Sequence, residues 1–262
     1  MSDPLKRTSR NTTTLEDPWH YGWRYQRQEG SDGEPRYVQI PLARTDILHP
    51  QEDDFVVHNE NHGNDRHYLD TMLTAHLSGR KEVHVFCDHR IDWGVPGLEP
   101  HGPDLTVIDG YPANWDRQRG TFCLSEFGAK PLLVLEITSP ATRDVDLDEK
   151  VQEYHLAGVP FYAIVDRRYY PEGQEIRLLG YRFIEDGYVR VKLDERGRLL
   201  LEPIELWLAV EGCRLRCYYS NGQRMLDYQE LVKVLEDLRA RRQAEERIHQ
   251  LEAELNRLRG QS

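Results

Sequence analysis

Two acidic residues and one lysine in the middle of the chain have the types and the spacing for metal-assisted chemistry. Asp104 lies near the start of the apolar segment 103–108, Glu136 lies late in the apolar run 132–137, and Lys150 follows on a polar segment. A carboxylate inside an otherwise apolar strand is costly to bury unless a cation, a proton or a metal ion compensates its charge. We therefore expect chemistry around Glu136.

Carboxylates from two neighbouring strands can hold Mg²⁺, and the backbone carbonyl of Ile137 could complete the protein's share of the coordination shell. A lysine beside them, here Lys150, can orient an attacking water or stabilise the charge that develops on a phosphorus atom. Tyr154 lies four residues further on and shares a helix face with this lysine. Ser139, in the turn after Glu136, could cap the helix or support the site.

Each of these residues also has a structural interpretation, and taken singly none of them identifies an enzyme. Asp104 could simply open a strand or accept hydrogen bonds in a turn. Lys150 stands near Asp146, Asp148 and Glu149, and a lysine in such a segment is usually a solvated partner in a charge pattern. The glutamate inside the apolar run is harder to explain in this way.

Cysteine and histidine give weaker indications of chemistry. Cys213 and Cys217 fall on the same face of a predicted strand, and we expect both to be structural thiols in or near a core. The set His84, Cys87 and His89 suggests zinc ligands, but it lacks a second ligand pair at finger-like spacing. Four irregularly spaced cysteines also do not form the framework of a disulfide-rich secreted protein.

The stretch 130–166 must position the candidate residues. Apolar runs at 132–137 and 161–165 flank an amphipathic segment, 145–157, of helical length. This pattern predicts two buried parallel strands joined by a crossover helix. Around this unit the sequence predicts further strands, a helix and a long loop. The strands are 36–40, 54–57, 82–87, 103–108, 176–184, 188–193 and 213–219, the helix is 64–77, and the loop is 109–129.

The combination of several short motifs resembles the Uma-two family of bacterial endonucleases, which belongs to the PD-(D/E)XK nuclease superfamily. The motifs are Gly102-Pro103-Asp104-Leu105-Thr106-Val107, Leu135-Glu136-Ile137-Thr138-Ser139-Pro140, Lys150 with Tyr154, and Gly158-Val159-Pro160-Phe161-Tyr162. The resemblance extends from about residue 31 to residue 228. It implies a restriction-endonuclease-like α/β fold, which is a mixed sheet flanked by helices, here with added antiparallel hairpins and a C-terminal helical tail.

The resemblance also implies roles for particular residues. Asp104 and Glu136 would be the metal-binding carboxylates, for Mg²⁺ with Mn²⁺ as a substitute, and Lys150 would be the catalytic lysine. The superfamily pattern places lysine two residues after the glutamate, where this chain has Thr138. The family resemblance places the lysine on the following helix instead, and Lys150 fits that position.

The sequence thus predicts a metal-dependent DNA endonuclease that hydrolyses phosphodiester bonds with metal-activated water. An acidic or histidine residue on the first helix often contributes in this fold, and Glu60 and His62 are the candidates. Two alternatives stay open. One is a nuclease-fold protein without catalysis that acts as an interaction module through its tail. The other is a phosphodiesterase for a smaller substrate, which the net charge of −11 would tolerate more easily.

The chain is predicted to have three parts: a polar arm over 1–35, a restriction-endonuclease-like domain over 36–227 and a helical tail over 228–262. In the tail, Ile248, Leu251, Leu255 and Leu258 follow a heptad spacing, which favours a short coiled coil and a homodimer. No apolar stretch has the length to cross a bilayer and no secretory signal is evident, so a cytoplasmic location without membrane contact is expected.

Overall fold

The computed structural model describes residues 17–31 and 33–259. In chain order the strands are β1 (Gly22–Glu29), β2 (Pro35–Pro41), β3 (Phe55–Val56), β4 (Val83–Cys87), β5 (Arg90–Asp92), β6 (Leu105–Asp109), β7 (Thr121–Cys123), β8 (Lys130–Ile137), β9 (Phe161–Tyr170), β10 (Gly173–Ile184), β11 (Gly187–Val191), β12 (Leu199–Leu201), β13 (Leu206–Glu211) and β14 (Arg214–Tyr218). The helices are α1 (Arg44–Leu48), α2 (Glu60–Leu77), α3 (Leu124–Phe127), α4 (Arg143–Leu147), α5 (Glu149–Leu156) and α6 (Tyr228–Arg259).

A six-stranded mixed sheet, in the order β11-β10-β9-β8-β6-β4, lies at the centre of the protein. Strands β8 and β9 are parallel, and the other neighbouring pairs are antiparallel. The predicted parallel pair with a helical crossover is therefore confirmed. The hairpin β10–β11, the sheet β12-β13-β14 and the C-terminal helix α6 complete the predicted fold class.

Strand β8 separates two apolar clusters that cover the two faces of the central sheet. Leu133, Leu135 and Ile137 belong to the cluster beneath α2 and the sheet β12-β13-β14. Val134 belongs to the opposite cluster, which includes residues of α5. Because successive side chains of a strand point to opposite faces, Glu136 faces the same side as Val134, towards α5.

The crossover between β8 and β9 forms two short helices, whereas the sequence predicted one helix over 145–157. Helices α4 and α5 are separated at Asp148, whose backbone has φ −119° and ψ −74°. The hydroxyl of Tyr162 donates a hydrogen bond of 2.8 Å to the backbone carbonyl of Asp146. In a continuous helix this carbonyl would accept from the N–H of Lys150, so the tertiary contact competes with the helical one.

The sheet β2-β1-β3 lies in the N-terminal part of the chain. Strand β1 falls within 1–35, where the sequence predicted only a polar arm, and residues 1–16 of that arm lie outside the described residues. β1 pairs with β2 along its whole length, and the ring of Trp23 stacks on that of Phe55 at 5.7 Å. Pairing with two later strands explains why a polar sequence forms a strand here.

Two segments before β8 also contain more regular structure than predicted. Helix α2 begins at Glu60 rather than at residue 64, because the side chain of Asn59 caps it and accepts a hydrogen bond of 3.0 Å from the N–H of His62. The predicted loop 109–129 contains β7 and α3. The early start of α2 places His62 in its first turn.

The prediction that two cysteines share a buried face is wrong for one of them. Cys217 of β14 is buried, and burial raises the pKa of its thiol to about 12. Cys213 is exposed, because it lies in the turn before β14, where Gly212 has a φ of +61°. All four cysteines are free thiols.

Helix α6 continues to Arg259 and exposes apolar side chains along its length. These are Leu231, Val234, Leu235, Leu238, Ile248, Leu251 and Leu255. The side chain of Leu258, the last residue of the predicted heptad seam, lies outside the described part of the chain. The coiled coil stays a prediction. None of the helices in the described residues combines the length and the apolar character that a membrane span requires.

A buried carboxylate in β9 makes the stability of the fold depend on pH. Asp166 accepts hydrogen bonds from Arg143 Nε at 2.7 Å and from Arg168 Nε at 2.9 Å. Burial alone would raise the pKa of Asp166, but the two guanidinium groups outweigh it and lower this pKa. Since the unfolded chain then binds the proton more tightly, the contribution of Asp166 is complete above its ordinary pKa of 3.8 and is lost as the pH falls below it.

We expect Asp166→Asn to lower the free energy of unfolding by about 1–2 kcal/mol near pH 7, because two partly exposed arginines lose a charged acceptor. The loss should be much smaller at pH 3, as measured by urea unfolding. Asp144→Asn, an exposed carboxylate beside Arg143, serves as the control and should cost less than about 0.5 kcal/mol. An equal cost of Asp166→Asn at both pH values would contradict the assignment.

Candidate metal-dependent active site

Glu136 lies at the centre of a buried hydrogen-bond network, with only 2% of the residue exposed. Its Oε1 accepts from Lys150 Nζ at 2.8 Å and from the hydroxyl of Tyr154 at 2.6 Å. Its Oε2 accepts from the backbone N–H of Asp104 at 3.2 Å. A carboxylate offers about four lone-pair sites, so one site is left for a further partner.

Lys150 links this glutamate to a third carboxylate. Its ammonium lies 2.9 Å from Asp146 Oδ1, and Asp146 Oδ2 accepts a hydrogen bond of 2.9 Å from the hydroxyl of Thr142. Lys150 is only 4% exposed, so the interpretation as a solvated member of a charge pattern is wrong. Asp146 and Lys150 remain one helical turn apart across the break at Asp148, and this spacing brings both side chains to Glu136.

Asp104 lies just before β6 and is another buried carboxylate of the site. Its Oδ2 accepts a hydrogen bond of 2.8 Å from the N–H of Ile137, and its Oδ1 lies 3.0 Å from His62 Nε2. The imidazole of His58 stacks on that of His62, with ring centroids 3.9 Å apart. Adjacent antiparallel strands thus bring Asp104 and Glu136 together, α2 adds His62, and the segment just before α2 adds His58.

The environment moves the pKa values of the two carboxylates in opposite directions. Burial raises the pKa of Glu136 to about 8, although the positive charge of Lys150 opposes this. Burial would also raise the pKa of Asp104, but its hydrogen bond with His62 and the charge of this ring outweigh burial and lower it. Burial would lower the pKa of Lys150, yet Asp146 and Glu136 together raise it. Asp104 and Lys150 are therefore charged at neutral pH.

These side chains meet in an open cleft of about 350 Å³. Asp104, Glu136, Lys150 and His62, all singled out from the sequence, line it. The other candidates do not line this cleft. Tyr154 is buried behind Glu136, Ser139 bonds with Thr142, Ile137 contributes its backbone N–H to Asp104, and Glu60 is exposed at the start of α2.

Several residues of the site were not predicted from the sequence. Asp146 carried a signal, because it lies four residues before Lys150 on the same helical face. His58, Arg66 and Arg90 also line the cleft, but they are distant from the motifs along the chain. No local pattern connects them to Asp104, so only the fold could bring them there.

The residues around Asp104 fit a divalent metal ion. His58, His62 and Asp104 each offer a ligand atom within 4.8 Å of the others. The Nδ1 atoms of both histidines are buried and have no hydrogen-bond partner in the described structure. His62 Nε2 lies 3.0 Å from Asp104 Oδ1 and is hydrogen-bonded to this carboxylate. Two ligand atoms at right angles, each about 2.1 Å from one ion, have the same separation, so an ion bound here would replace this hydrogen bond.

A second group of possible ligands, His49, His101 and Glu153, is better explained as a hydrogen-bonded chain. The indole Nε1–H of Trp93 donates to His101 Nδ1 at 2.8 Å, so the proton of the neutral ring resides on Nε2. This Nε2–H donates to Glu153 at 2.6 Å and is not free for a metal. The His101 ring packs on Tyr154, with centroids 5.0 Å apart, and so supports the partner of Glu136.

The possible zinc ligands His84, Cys87 and His89 do not form a ligand group among the described residues. The ring of His84 stacks on Tyr111 with centroids 4.1 Å apart, and that of His89 stacks on Phe86 at 4.8 Å. The two histidines are therefore packing residues.

Removal of the buried ammonium should destabilise the fold. We expect Lys150→Met to lower the free energy of unfolding by about 3–5 kcal/mol near pH 7, because Glu136 and Asp146 lose their shared cation. Adding Glu136→Gln to Lys150→Met should recover part of this loss, and urea unfolding of the two single variants and the double variant measures the coupling. The exposed Lys130→Met is the matched control. Additive effects of Lys150→Met and Glu136→Gln would contradict the charge cluster.

Comparison with known proteins points to one family. No curated protein matches this chain. A crystal structure from Anabaena variabilis, described as a "putative nuclease", aligns with a TM-score of 0.38 and 12% identity over 67% of this chain and 78% of that chain. The family model Uma2, described as "Putative restriction endonuclease", matches residues 56–226, a segment that contains Asp104, Glu136 and Lys150. Because this match covers more than half of the sequence, the chain belongs to the Uma2 family.

Proposed function

We propose that the protein is a metal-dependent endonuclease that hydrolyses phosphodiester bonds of DNA. The observation that carries the proposal is the network in which buried Glu136 contacts both Lys150 and the backbone of Asp104 at the wall of an open cleft. The family description supports the reaction class. Paired carboxylates beside a lysine are suited to binding a divalent metal and to stabilising charge on phosphorus.

Asp104, Glu136 and the backbone carbonyl of Ile137 are the proposed metal ligands. A divalent ion bound there would polarise a phosphate oxygen and lower the pKa of a bound water. The lowered pKa of Asp104 keeps this carboxylate ionised at neutral pH despite its burial, as a metal ligand must be. Glu136 is held in one orientation by Tyr154 and Lys150, which also limits its motion.

Lys150 is the proposed catalytic cation. It is charged, buried and at the cleft, so it can stabilise the negative charge that develops on the phosphoryl oxygens during attack. Asp146 acts as a positioning residue, because its ion pair of 2.9 Å holds the same ammonium that Glu136 contacts at 2.8 Å. The hydroxyl of Thr142 in turn orients Asp146.

Cleavage of supercoiled plasmid and of labelled single-stranded DNA tests the proposal. We expect wild-type protein to cut in Mg²⁺ or Mn²⁺ and to be inactive in EDTA. Glu136→Gln and Lys150→Gln should each reduce the rate by about 10²- to 10³-fold, because the first removes a carboxylate ligand of the metal and the second removes the cation beside the phosphate. The exposed Lys130 and the partly exposed Glu149, which pairs with Arg44 rather than with the site, provide the controls Lys130→Gln and Glu149→Gln.

The outcomes separate the alternatives. Cutting of a small phosphodiester that duplex DNA does not inhibit would identify a phosphodiesterase for a smaller substrate. If the protein binds metal through Glu136 but cuts no DNA, the proposed metal site is supported and DNA is rejected as the substrate. If neither cutting nor metal binding is found, the protein is an interaction module that uses its tail.

The histidines lead to a prediction about the metal itself. Imidazole nitrogen suits Mn²⁺ better than Mg²⁺, which prefers oxygen ligands, so we expect Mn²⁺ to bind more tightly by calorimetry in the absence of DNA. His58→Ala should weaken Mn²⁺ binding by about tenfold or more. Its effect on Mg²⁺ should be small. His67→Ala, on an exposed position of α2, is the control, and unchanged Mn²⁺ binding in His58→Ala would exclude this ring as a ligand.

The proposed domain organisation is an arm over 1–35, a nuclease domain over 36–227 and a tail over 228–262. The family match, 56–226, falls within the second part. A homodimer through α6 would cover its exposed apolar side chains and would suit cleavage of two strands. Sedimentation of the full chain measures this association, and a strictly monomeric protein would reject it.

A further inference from the structure

The cations of the cleft differ in whether a carboxylate neutralises them. Lys150 lies between Glu136 and Asp146. Arg66 Nη1 lies 3.0 Å from Asp88 Oδ2 and 3.6 Å from Asp104 Oδ1. Arg90 also lines the cleft, but it forms no ion pair with any residue that the structure describes. It is therefore a cleft cation whose charge is not matched within the described chain.

The guanidinium of Arg90 also has an unused donor. Its Nη1 donates to the hydroxyl of Thr121 at 3.2 Å, whereas its Nε is buried and has no hydrogen-bond partner in the described structure. The hydroxyl of Thr121 donates to Glu52, so this carboxylate is engaged with the threonine rather than with Arg90. A buried N–H of a charged group without an acceptor is costly, and in native structures a ligand, an anion or a bound water usually completes it.

The backbone holds Arg90 in place at the cleft. Arg90 is the first residue of β5, and it pairs in parallel register with Thr121 of β7. The turn before it contains Asp88, whose φ of +51° is rare for a residue other than glycine. The N–H of Asp88 donates to the backbone carbonyl of Asp104 at 3.0 Å. The turn that precedes Arg90 is thus hydrogen-bonded to the backbone of Asp104, a proposed metal ligand.

The chemistry of the missing partner follows from these contacts. A partner that both accepts from this N–H and neutralises the guanidinium must carry negative charge and present acceptor atoms inside a cleft. A phosphate group satisfies both conditions, and the planar fork of arginine matches two phosphate oxygens. A metal ion cannot fill this role, since a guanidinium has no lone pair to offer it.

We infer that Arg90 binds a non-bridging phosphate oxygen of the substrate in the cleft that Asp104 and Glu136 also line. The ligand class is a phosphate ester, and the inference rests on the proposed function of the same site. Arg90 is a substrate-binding residue, so its loss should weaken binding more than it slows the bound complex. A contact between Arg90 and the phosphate would also explain how a chain of net charge −11 binds a phosphodiester beside acidic groups.

The test compares wild type with Arg90→Gln, Arg90→Lys and Arg119→Gln. Arg119 is the matched control, because it is a partly exposed arginine of the neighbouring loop that already pairs with Glu126. Binding of a fluorescein-labelled duplex oligonucleotide is measured by anisotropy with Ca²⁺ in place of Mg²⁺, and inorganic phosphate is the competitor. KM and kcat for cleavage are measured in Mn²⁺. Thermal unfolding verifies that each variant is folded.

We expect Arg90→Gln to raise the dissociation constant and KM by about 10- to 100-fold, with a much smaller change in kcat. Arg90→Lys keeps the positive charge but loses the planar guanidinium that can bind two oxygens at once. Its dissociation constant and KM should lie between those of wild type and Arg90→Gln. Arg119→Gln should match wild type. If Arg90→Gln fails to fold, Arg90→Lys decides, because unchanged binding in that variant would overturn the role of the guanidinium.

The two proposals fail in different ways. Metal-dependent cleavage with the same KM in Arg90→Gln as in wild type would retain the nuclease and overturn the phosphate site. If the oligonucleotide or phosphate binds in an Arg90-dependent way but no cleavage occurs, the phosphate-binding role of Arg90 is supported and the nuclease proposal is overturned. Wild-type protein that binds neither probe would overturn the role of Arg90 whatever the result for cleavage.

Discussion

The burial of one carboxylate in the central sheet is the constraint on which the rest of the site depends. Glu136 is surrounded by apolar neighbours in β8, and its burial is tolerated because three donors from two segments of the chain reach it. Lys150 and Tyr154 come from α5, and the backbone N–H of Asp104 comes from the start of β6. The strand order β6-β8-β9 and the short crossover are therefore both required for the carboxylate to be tolerated.

The same arrangement gives the site two groups of residues with different chemistry. Asp104 with His62 and His58 presents oxygen and nitrogen ligand atoms, whereas Lys150 places a cation between two carboxylates. Groups whose environments move their pKa values apart are typical of catalytic sites. The cleft is acidic overall, which favours the binding of a cation. Binding of a phosphate therefore depends on the basic residues that also line the cleft.

Most of the central fold could be predicted from patterns in the chain, because its elements are strongly apolar or have clear turns. The parallel pair β8–β9 and the hairpin β10–β11 belong to this class. The sequence did not indicate β1, whose stability comes from pairing with β2 and β3 rather than from its own apolar pattern. It also predicted one crossover helix, since the hydrogen bond from Tyr162 to the backbone of Asp146 depends on contacts distant along the chain.

The sequence by itself determined which residue types carry the proposed chemistry. Glu136 was conspicuous because a charge interrupts an apolar strand, and Asp104 and Lys150 followed from their spacing around it. Only the tertiary structure decided the rest: that Lys150 is buried between two carboxylates, that His58 stacks beside His62, and that Arg90 enters the same cleft without an ion pair. The physical reason is that burial and charge pairing are properties of contacts between distant segments, which no local spacing encodes.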